Sequence, residues 1–306
     1  MKIIVAHCSP DWDAIGSVWL LKKYLSGWDS AEVKFVPAGE RLGSGKDKMA
    51  NREWQIENGS KVIEMMGEDE VIHVDTGMGA LDHHQTSDKN VCAMSKTWDY
   101  VQQEIEKQGN KFSKEHLEAI TRIVRIVVDI DHFGEVYWSN PAADYHEFSL
   151  LGLLEGLKYI KQDQDSYYVE FGINCLNAMT ARFENRIWAE KEMEEGRKFE
   201  TRFGQGIEFE TINDSVLKLA QKMGYVITVR KDPRKGYVRI KTLPAREDNK
   251  GADLTLAYEQ FKKIDPDATW FLHVSKKMLL NGTPKNPKMR PTKLGLDEII
   301  KVLEKI

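Results

Sequence analysis

The chain has 306 residues, 41% hydrophobic and 30% charged, which is enough apolar material for real cores and excludes global disorder. Its 9 prolines and 22 glycines follow no period, which excludes a collagen-like or low-complexity chain. A formal net charge of -4 gives no global attraction to nucleic acid, so such a partner requires a local basic patch.

No stretch approaches the ~18 consecutive apolar residues that span a bilayer, so no membrane partner is expected. The start, MKIIVAHCSPDWDAIG, turns acidic where an export signal needs an apolar core, and reads as a first strand. Cys8, Cys92 and Cys175 are an odd, scattered set. They imply no disulfide framework and fit a reducing, cytoplasmic setting.

In chain order, Lys2 to Ala6 predicts a buried strand that ends at His7-Cys8-Ser9-Pro10-Asp11. Ala14, Ile15, Val18, Trp19, Leu21 and Leu25 recur at helical spacing, closed by Gly27. Glu32 to Val36 is a second strand and Val71 to Val74 a third, running into Asp75. Gly39 to Lys48 reads as a loop but not a P-loop, because no Gly-Lys-Ser/Thr follows at the right spacing. Its Lys46 and Lys48, with Arg52, are candidates for the mouth of a crevice. Strands alternating with helices predict parallel pairing, with ligands beyond the carboxyl ends of the strands.

From Ser95 to Ile160 the pattern is helical, with one stripe at Trp98, Val101 and Ile105 and another from Leu117 to Val127. A long charged helix over about 167 to 202 reads as a connector. Beyond Gly206, Tyr225 to Val229 and Tyr237 to Ile240 flank a turn, Lys231 to Gly236, at hairpin spacing. A helix from Leu254 to Ile264, a strand from Thr269 to Val274 and a last helix from Leu296 complete the chain, which has no internal repeat. The expected fold is α/β: a parallel sheet with flanking helices over 1–162, a helical connector over 163–205 and a smaller α/β lobe over 206–306.

Hard ligands gather at His7-x-x-x-Asp11-x-Asp13, at Asp75, at Asp82-His83-His84 and at Asp129-x-Asp131-His132. Each alone has a plainer reading: an Asp after a strand commonly caps a helix or turn, and Asp11 or Asp13 suits that role. Together, carboxylates placed at successive strand ends repel one another unless a cation neutralises them. Carboxylate with imidazole and without thiolate suits Mn, Fe, Co or Zn.

The segments AHCSPDWDAIGS (6–17), VDTG (74–77) and DHH (82–84), in that order, resemble the DHH phosphoesterase superfamily over roughly the first half of the chain. The resemblance implies two Mn2+ ions, with Mg2+ or Co2+ as substitutes. Their ligands would be His7, Asp11, Asp13, Asp75, His83 and a later aspartate. Asp75 would bridge the ions, His84 would contact phosphate or act as an acid at the leaving oxygen, and Asp82 would support the site or add a ligand. In VVDIDHFGE (127–135) the family spacing favours Asp129 as the later ligand, with Asp131 the alternative. The family's threonine after this aspartate is absent.

The superfamily's glycine-rich GGGH-type motif is absent from the carboxyl-terminal lobe. From Lys276 to Lys293 the chain instead carries Lys276, Lys277, Lys285, Lys288, Arg290 and Lys293 with no acid. This run is either a solvated loop or a phosphate-binding segment in which Asn281, Gly282 and Thr283 allow close backbone approach. FLHVSKKMLLNGT (271–283) and Asp82-His83-His84-Gln85 are also similar to the melanocyte-proliferating-gene exonuclease family, although the first motif differs. That similarity points the substrate towards nucleic acid.

The resulting expectation is a manganese-dependent phosphoesterase that cleaves phosphodiester bonds of short oligonucleotides or related nucleotides with a two-metal-activated water. The alternatives are an inorganic pyrophosphatase on the same scaffold and a non-catalytic nucleotide-binding module. Trp12 is the aromatic side chain expected to touch substrate. Trp19 and Trp98 are expected in the core, and Cys8 in packing rather than as a nucleophile.

Overall fold

The computed structural model describes residues 1–43, 61–246, 251–283 and 285–306. Lys46, Lys48 and Arg52 lie outside the described residues. The chain divides into two compact units, Met1–Glu184 and Asn185–Ile306, each with its own apolar core.

The first unit holds a four-stranded sheet in the order β2-β1-β4-β3. Its strands are β1 (Lys2–His7), β2 (Glu32–Val36), β3 (Glu64–Met66) and β4 (Asp69–His73). β1 pairs in parallel with β2 and β4, as the alternation of elements predicts, and β3 joins β4 antiparallel. Ile4 and Ala6 of β1 enter the large core, while Ile3 and Val5 pack with Val36 and Val71 in a second cluster. A strand buried on both faces needs a continuous apolar run rather than alternation, and residues 3–6 supply one.

Helix α1 (Trp12–Tyr24) starts at Asp11, whose Oδ1 accepts from the amides of Asp13 at 2.9 Å and Ala14 at 3.1 Å. That is the N-cap role anticipated for one of the two aspartates. Trp12 through Leu21 are all buried, so the helix is covered on every side. Gly16 lets α2 (Ala93–Lys107) come close, because a Cβ there would lie 2.3 Å from the Met94 sulfur. Helix α3 (Lys114–Asp131) buries Ile120, Ile123, Val124 and Val127, the predicted stripe. A 3-10 turn (Gly134–Tyr137), α4 (Asp144–Glu147), α5 (Leu150–Ile160) and α6 (Asp165–Glu195) follow.

Trp19 and Trp98 lie in the core as expected. Trp12 does too, contrary to the expectation that it meets substrate. Its ring lines a small apolar cavity with Val127, Leu150 and Phe183. The helical stripe on which it stands outweighs its place among acids. Cys8 is exposed rather than packed. Partial burial and then the charge of Asp165 push its thiol up, so it is no ready nucleophile.

The second unit holds a six-stranded sheet in the order β5-β6-β7-β8-β10-β9. Its strands are β5 (Arg197–Thr201), β6 (Gly204–Glu210), β7 (Ile227–Lys231), β8 (Val238–Thr242), β9 (Trp270–Leu272) and β10 (Met278–Asn281). The β7–β8 pair is antiparallel, as the turn residues predict, and Asp232 Oδ1 accepts from the Arg234 and Lys235 amides within that turn. Helices α7 (Ser215–Lys222), α8 (Thr255–Ile264) and α9 (Leu296–Leu303) complete the unit. The predicted connector 163–205 contains β5, which pairs with β6 from Arg197↔Glu208 onward, so the second unit's sheet begins before residue 206. Among the described residues no helix is long and apolar enough to cross a membrane.

Candidate metal centre

The parallel pairing of β1 and β4 brings the ends of both strands together. His7 is the last residue of β1, Asp11 and Asp13 follow at the start of α1, and Asp75 lies just beyond β4. Asp75 has a left-handed backbone, φ 54, a conformation that Asp and Asn tolerate better than most residues. The loop it opens is held by a bridge from Val74 to Leu81 and by the Asp75 amide bonding to Leu81 O. Asp82, His83 and His84 therefore return to the same place, and Asp131 reaches it from the end of α3.

Among the described residues three groups of potential ligand atoms result, each within 4.8 Å: His7, Asp11 and Asp75; Asp75, His83 and His84; His83, Asp131 and His132. Asp75 belongs to two of them. Its Oδ2 lies 3.2 Å from His7 Nε2, and its Oδ1 lies 3.5 Å from His83 Nε2. His7 Nδ1 sits 2.8 Å from Cys8 O, so its N–H donates there and Nε2 is the atom presented to the cluster. Asp11, while capping α1 through Oδ1, keeps Oδ2 3.8 Å from His7 Nε2.

Charge in this cluster is unevenly balanced. Burial would raise the Asp75 carboxyl, but the hydrogen bond with His7 and the imidazole of nearby His83 hold it below the usual range. Burial, and then the charge of Asp75, push Asp13 well above the usual carboxylate range. Burial also raises Asp131, against the opposing charge of His83. Burial works against protonation of His7, but Asp75 and Asp11 prevail and raise it to about 9. Asp75 leads in raising His83 to about 9 as well, with burial opposing. Protons on two imidazoles thus supply the positive charge that a buried set of carboxylates demands.

The donors also fit a metal ion. Asp75 Oδ1, His83 Nε2 and Asp131 Oδ2 are buried and lack hydrogen-bond partners among the described residues. Both carboxylate oxygens lie 3.5 Å from His83 Nε2. Orphaned buried polar atoms gathered around one imidazole nitrogen are costly unless a further group satisfies them. The set is oxygen and imidazole without thiolate: the one neighbouring thiol, Cys92, is pushed up by burial and by Asp13 and stays protonated. That chemistry suits Mn, Fe, Co or Zn.

The other sequence-predicted residues divide in their placement. Asp13 lies 3.5 Å from His83 Nε2, yet its two oxygens also accept from the Ala93 amide at 2.8 Å and the Met94 amide at 2.6 Å. It anchors the start of α2 from within the cluster. Asp82 is fully buried, and its carboxylate accepts from the amides of Met78 and His84 and from His84 Nδ1, the last at 2.7 Å. It shapes the loop and orients His84 and is not among the potential ligand groups. The His84 ring, 59% exposed, faces solvent.

Asp131, not Asp129, reaches the histidines. The Asp129 carboxylate instead accepts from Trp138 Nε1 at 2.6 Å and packs against Gly134. Residues two apart on a helix point to different sides, so the two candidates do not approach His83 together. His132, which the sequence placed in this motif without a ligand role, joins Asp131 and His83.

In the second unit, Asn281 is fully buried. Its side-chain amide donates to Thr269 O and Arg290 O, and its Oδ1 accepts from the Thr292 amide at 2.6 Å. The candidate substrate contact thus fastens the end of β10 to Thr269 and to the loop at Arg290 and Thr292. Lys276 pairs with Asp253 at 3.4 Å, and Lys277 donates to Ala252 O. Lys285, Arg290 and Lys293 are exposed.

No protein-family model matches the sequence, and no curated protein matches it. Among solved structures, the chain is similar over its full length to an uncharacterized protein from Helicobacter pylori, with 10% identity, TM-score 0.26 and all of that chain covered. It is also similar, over 99% of its length, to exonuclease RecJ bound to manganese, with 10% identity, TM-score 0.28 and 89% of that chain covered. RecJ in complex with Mg2+ from Thermus thermophilus matches 99% of this chain at 11% identity and TM-score 0.28, with 49% of that chain covered. Likeness at this level carries no functional argument.

Proposed function

We propose that the first unit is the catalytic body of a manganese-dependent phosphoesterase that hydrolyses phosphodiester bonds of short oligonucleotides or related nucleotides. The observation that carries the reading is the convergence of Asp75 Oδ1, His83 Nε2 and Asp131 Oδ2, buried and unpartnered. His7, Asp11 and Asp75 would hold one ion. Asp75, His83 and Asp131, with Asp13 beside them, would hold a second. Such ions, when bound, lower the pKa of water and neutralise phosphoryl oxygens.

The chain's own residues supply the rest. Asp75 faces both imidazole groups with different oxygens, as a shared ligand must. Asp82 receives His84 Nδ1–H, so the ring offers Nε2 to a phosphate oxygen or a leaving group. Within the second unit, exposed Lys285, Arg290 and Lys293 suit phosphate contacts of their own.

The test is a manganese-supplemented panel of pyrophosphate, cyclic dinucleotides, linear dinucleotides and longer RNA and DNA. Release of mononucleotides from the shortest phosphodiesters is expected. Cleavage of pyrophosphate alone would make the enzyme a pyrophosphatase. Metal binding with no turnover on any member would make it a binding module.

A further inference from the structure

A cavity of about 660 Å3 opens between α2 and α3 in the first unit. Pockets of ~300–1,000 Å3 suit small organic ligands. His132 belongs to its wall and also to the group with His83 and Asp131. The contact of His132 Nε2 with Val91 O, 3.0 Å, fixes the ring where cavity and metal centre meet. The cavity therefore adjoins the place where a phosphate would sit.

Its lining is chemically mixed. Val124 and Val128 give apolar wall, Lys89 and Arg125 bring positive charge, and Asp99 and Asp129 bring negative charge. Two carboxylates repel an occupant that is anionic throughout, such as pyrophosphate or a polyphosphate chain. A flat heterocycle on a sugar is different: it is neutral, partly apolar, and edged with both donors and acceptors. We infer that this cavity receives the nucleoside attached to the phosphate at the metal centre. The inference rests on the phosphoesterase reading and assigns the nucleoside of its substrate a place in the first unit.

The experiment maps amide shifts of the full chain, labelled with nitrogen-15 and loaded with Mg2+, on titration with adenosine 5′-monophosphate and separately with inorganic phosphate. The nucleotide is expected to move amides over 89–95 and 121–132, and inorganic phosphate only those around Asp75 and His84. Val128→Trp, which fills the cavity, is expected to weaken nucleotide binding about tenfold and leave inorganic phosphate unaffected. Arg125→Ala, an exposed change that keeps the core, is expected to weaken it in the same sense and serves if the larger substitution does not fold. Equal nucleotide affinity in wild type and both variants, or shifts confined to the phosphate-responsive amides, would overturn the assignment. Manganese binding is read separately by electron paramagnetic resonance. Its absence overturns the metal centre, and the nucleotide map then decides the cavity alone.

Discussion

The Nε2 atom of His83 lies 3.5 Å from Oδ1 of Asp75, and both atoms are buried without a hydrogen-bond partner among the described residues. An ordinary ion pair closes such a gap. Asp131 Oδ2 stands at the same 3.5 Å from His83 Nε2.

Replacing Asp75 tests that geometry with little disturbance of the fold. Asparagine keeps the shape and tolerates the left-handed backbone found there, φ 54. Asp75→Asn should lose hydrolysis entirely and weaken manganese binding by about a hundredfold or more, and His83→Ala should behave alike. Isothermal titration with Mn2+ and a turnover assay measure both effects. Full activity in both variants would sink the assignment.

The metal-free cluster should also make stability depend on pH in a definite direction. His7 and His83 have folded pKa values of about 9, above the unfolded ~6.5. A raised histidine contributes stability that is complete below the unfolded value and is lost as pH rises through the folded one. The raised carboxyls of Asp13 and Asp131 act in the same sense. Chelator-treated protein should therefore lose stability between about pH 6.5 and 9. Saturating Mn2+ needs the imidazoles deprotonated and should flatten or invert that slope. Urea midpoints at several pH values, with and without the ion, measure it, and a chelated protein that gains stability across the window would contradict the charge balance described.

Asp82 should matter to turnover more than to metal affinity. It holds the Met78 and His84 amides and the His84 ring without belonging to a ligand group. Asp82→Ala should lower the rate by roughly 10–100-fold, the usual effect of removing an orienting partner, with a smaller change in manganese affinity. Parallel rate and binding measurements separate the two, and equal losses would make Asp82 a ligand after all.

Much of the first unit is legible in the sequence because its cues are local and strong. An apolar run ending in polar residues, an N-cap aspartate and a stripe at three- and four-residue spacing all survive into β1, α1 and α3. β3 escapes because Glu64-Met65-Met66 lacks the β-branched residues that mark strands. β5, β6 and β10 escape because charge or neighbouring glycine hides their alternation, as in Gly204-Gln205-Gly206. The choice between Asp129 and Asp131 is not decidable from spacing, since only the turn of α3 relative to its neighbours determines which carboxylate faces the histidines. Asn281 has the same lesson: between a basic pair and a glycine it reads as a contact, and only its burial against Thr269, Arg290 and Thr292 shows otherwise.

The second unit yields a prediction that separates support from contact. Asn281 fills its hydrogen bonds inside the protein, whereas Lys285, Arg290 and Lys293 are exposed. Asn281→Ala strands two carbonyls and an amide, and should cost ~1–3 kcal/mol of stability. It should leave oligonucleotide affinity little changed under conditions where the protein remains folded. Alanine at Lys285, Arg290 and Lys293 should leave stability within ~0.5 kcal/mol, as surface changes generally do. If these side chains meet phosphates, each loss also weakens binding without regard to sequence and lowers the salt slope by about 1. Denaturant melts and binding titrations over a range of salt distinguish the two classes. An unaltered salt slope in the triple variant would leave the basic segment a solvated loop and move the search for phosphate contacts to the first unit.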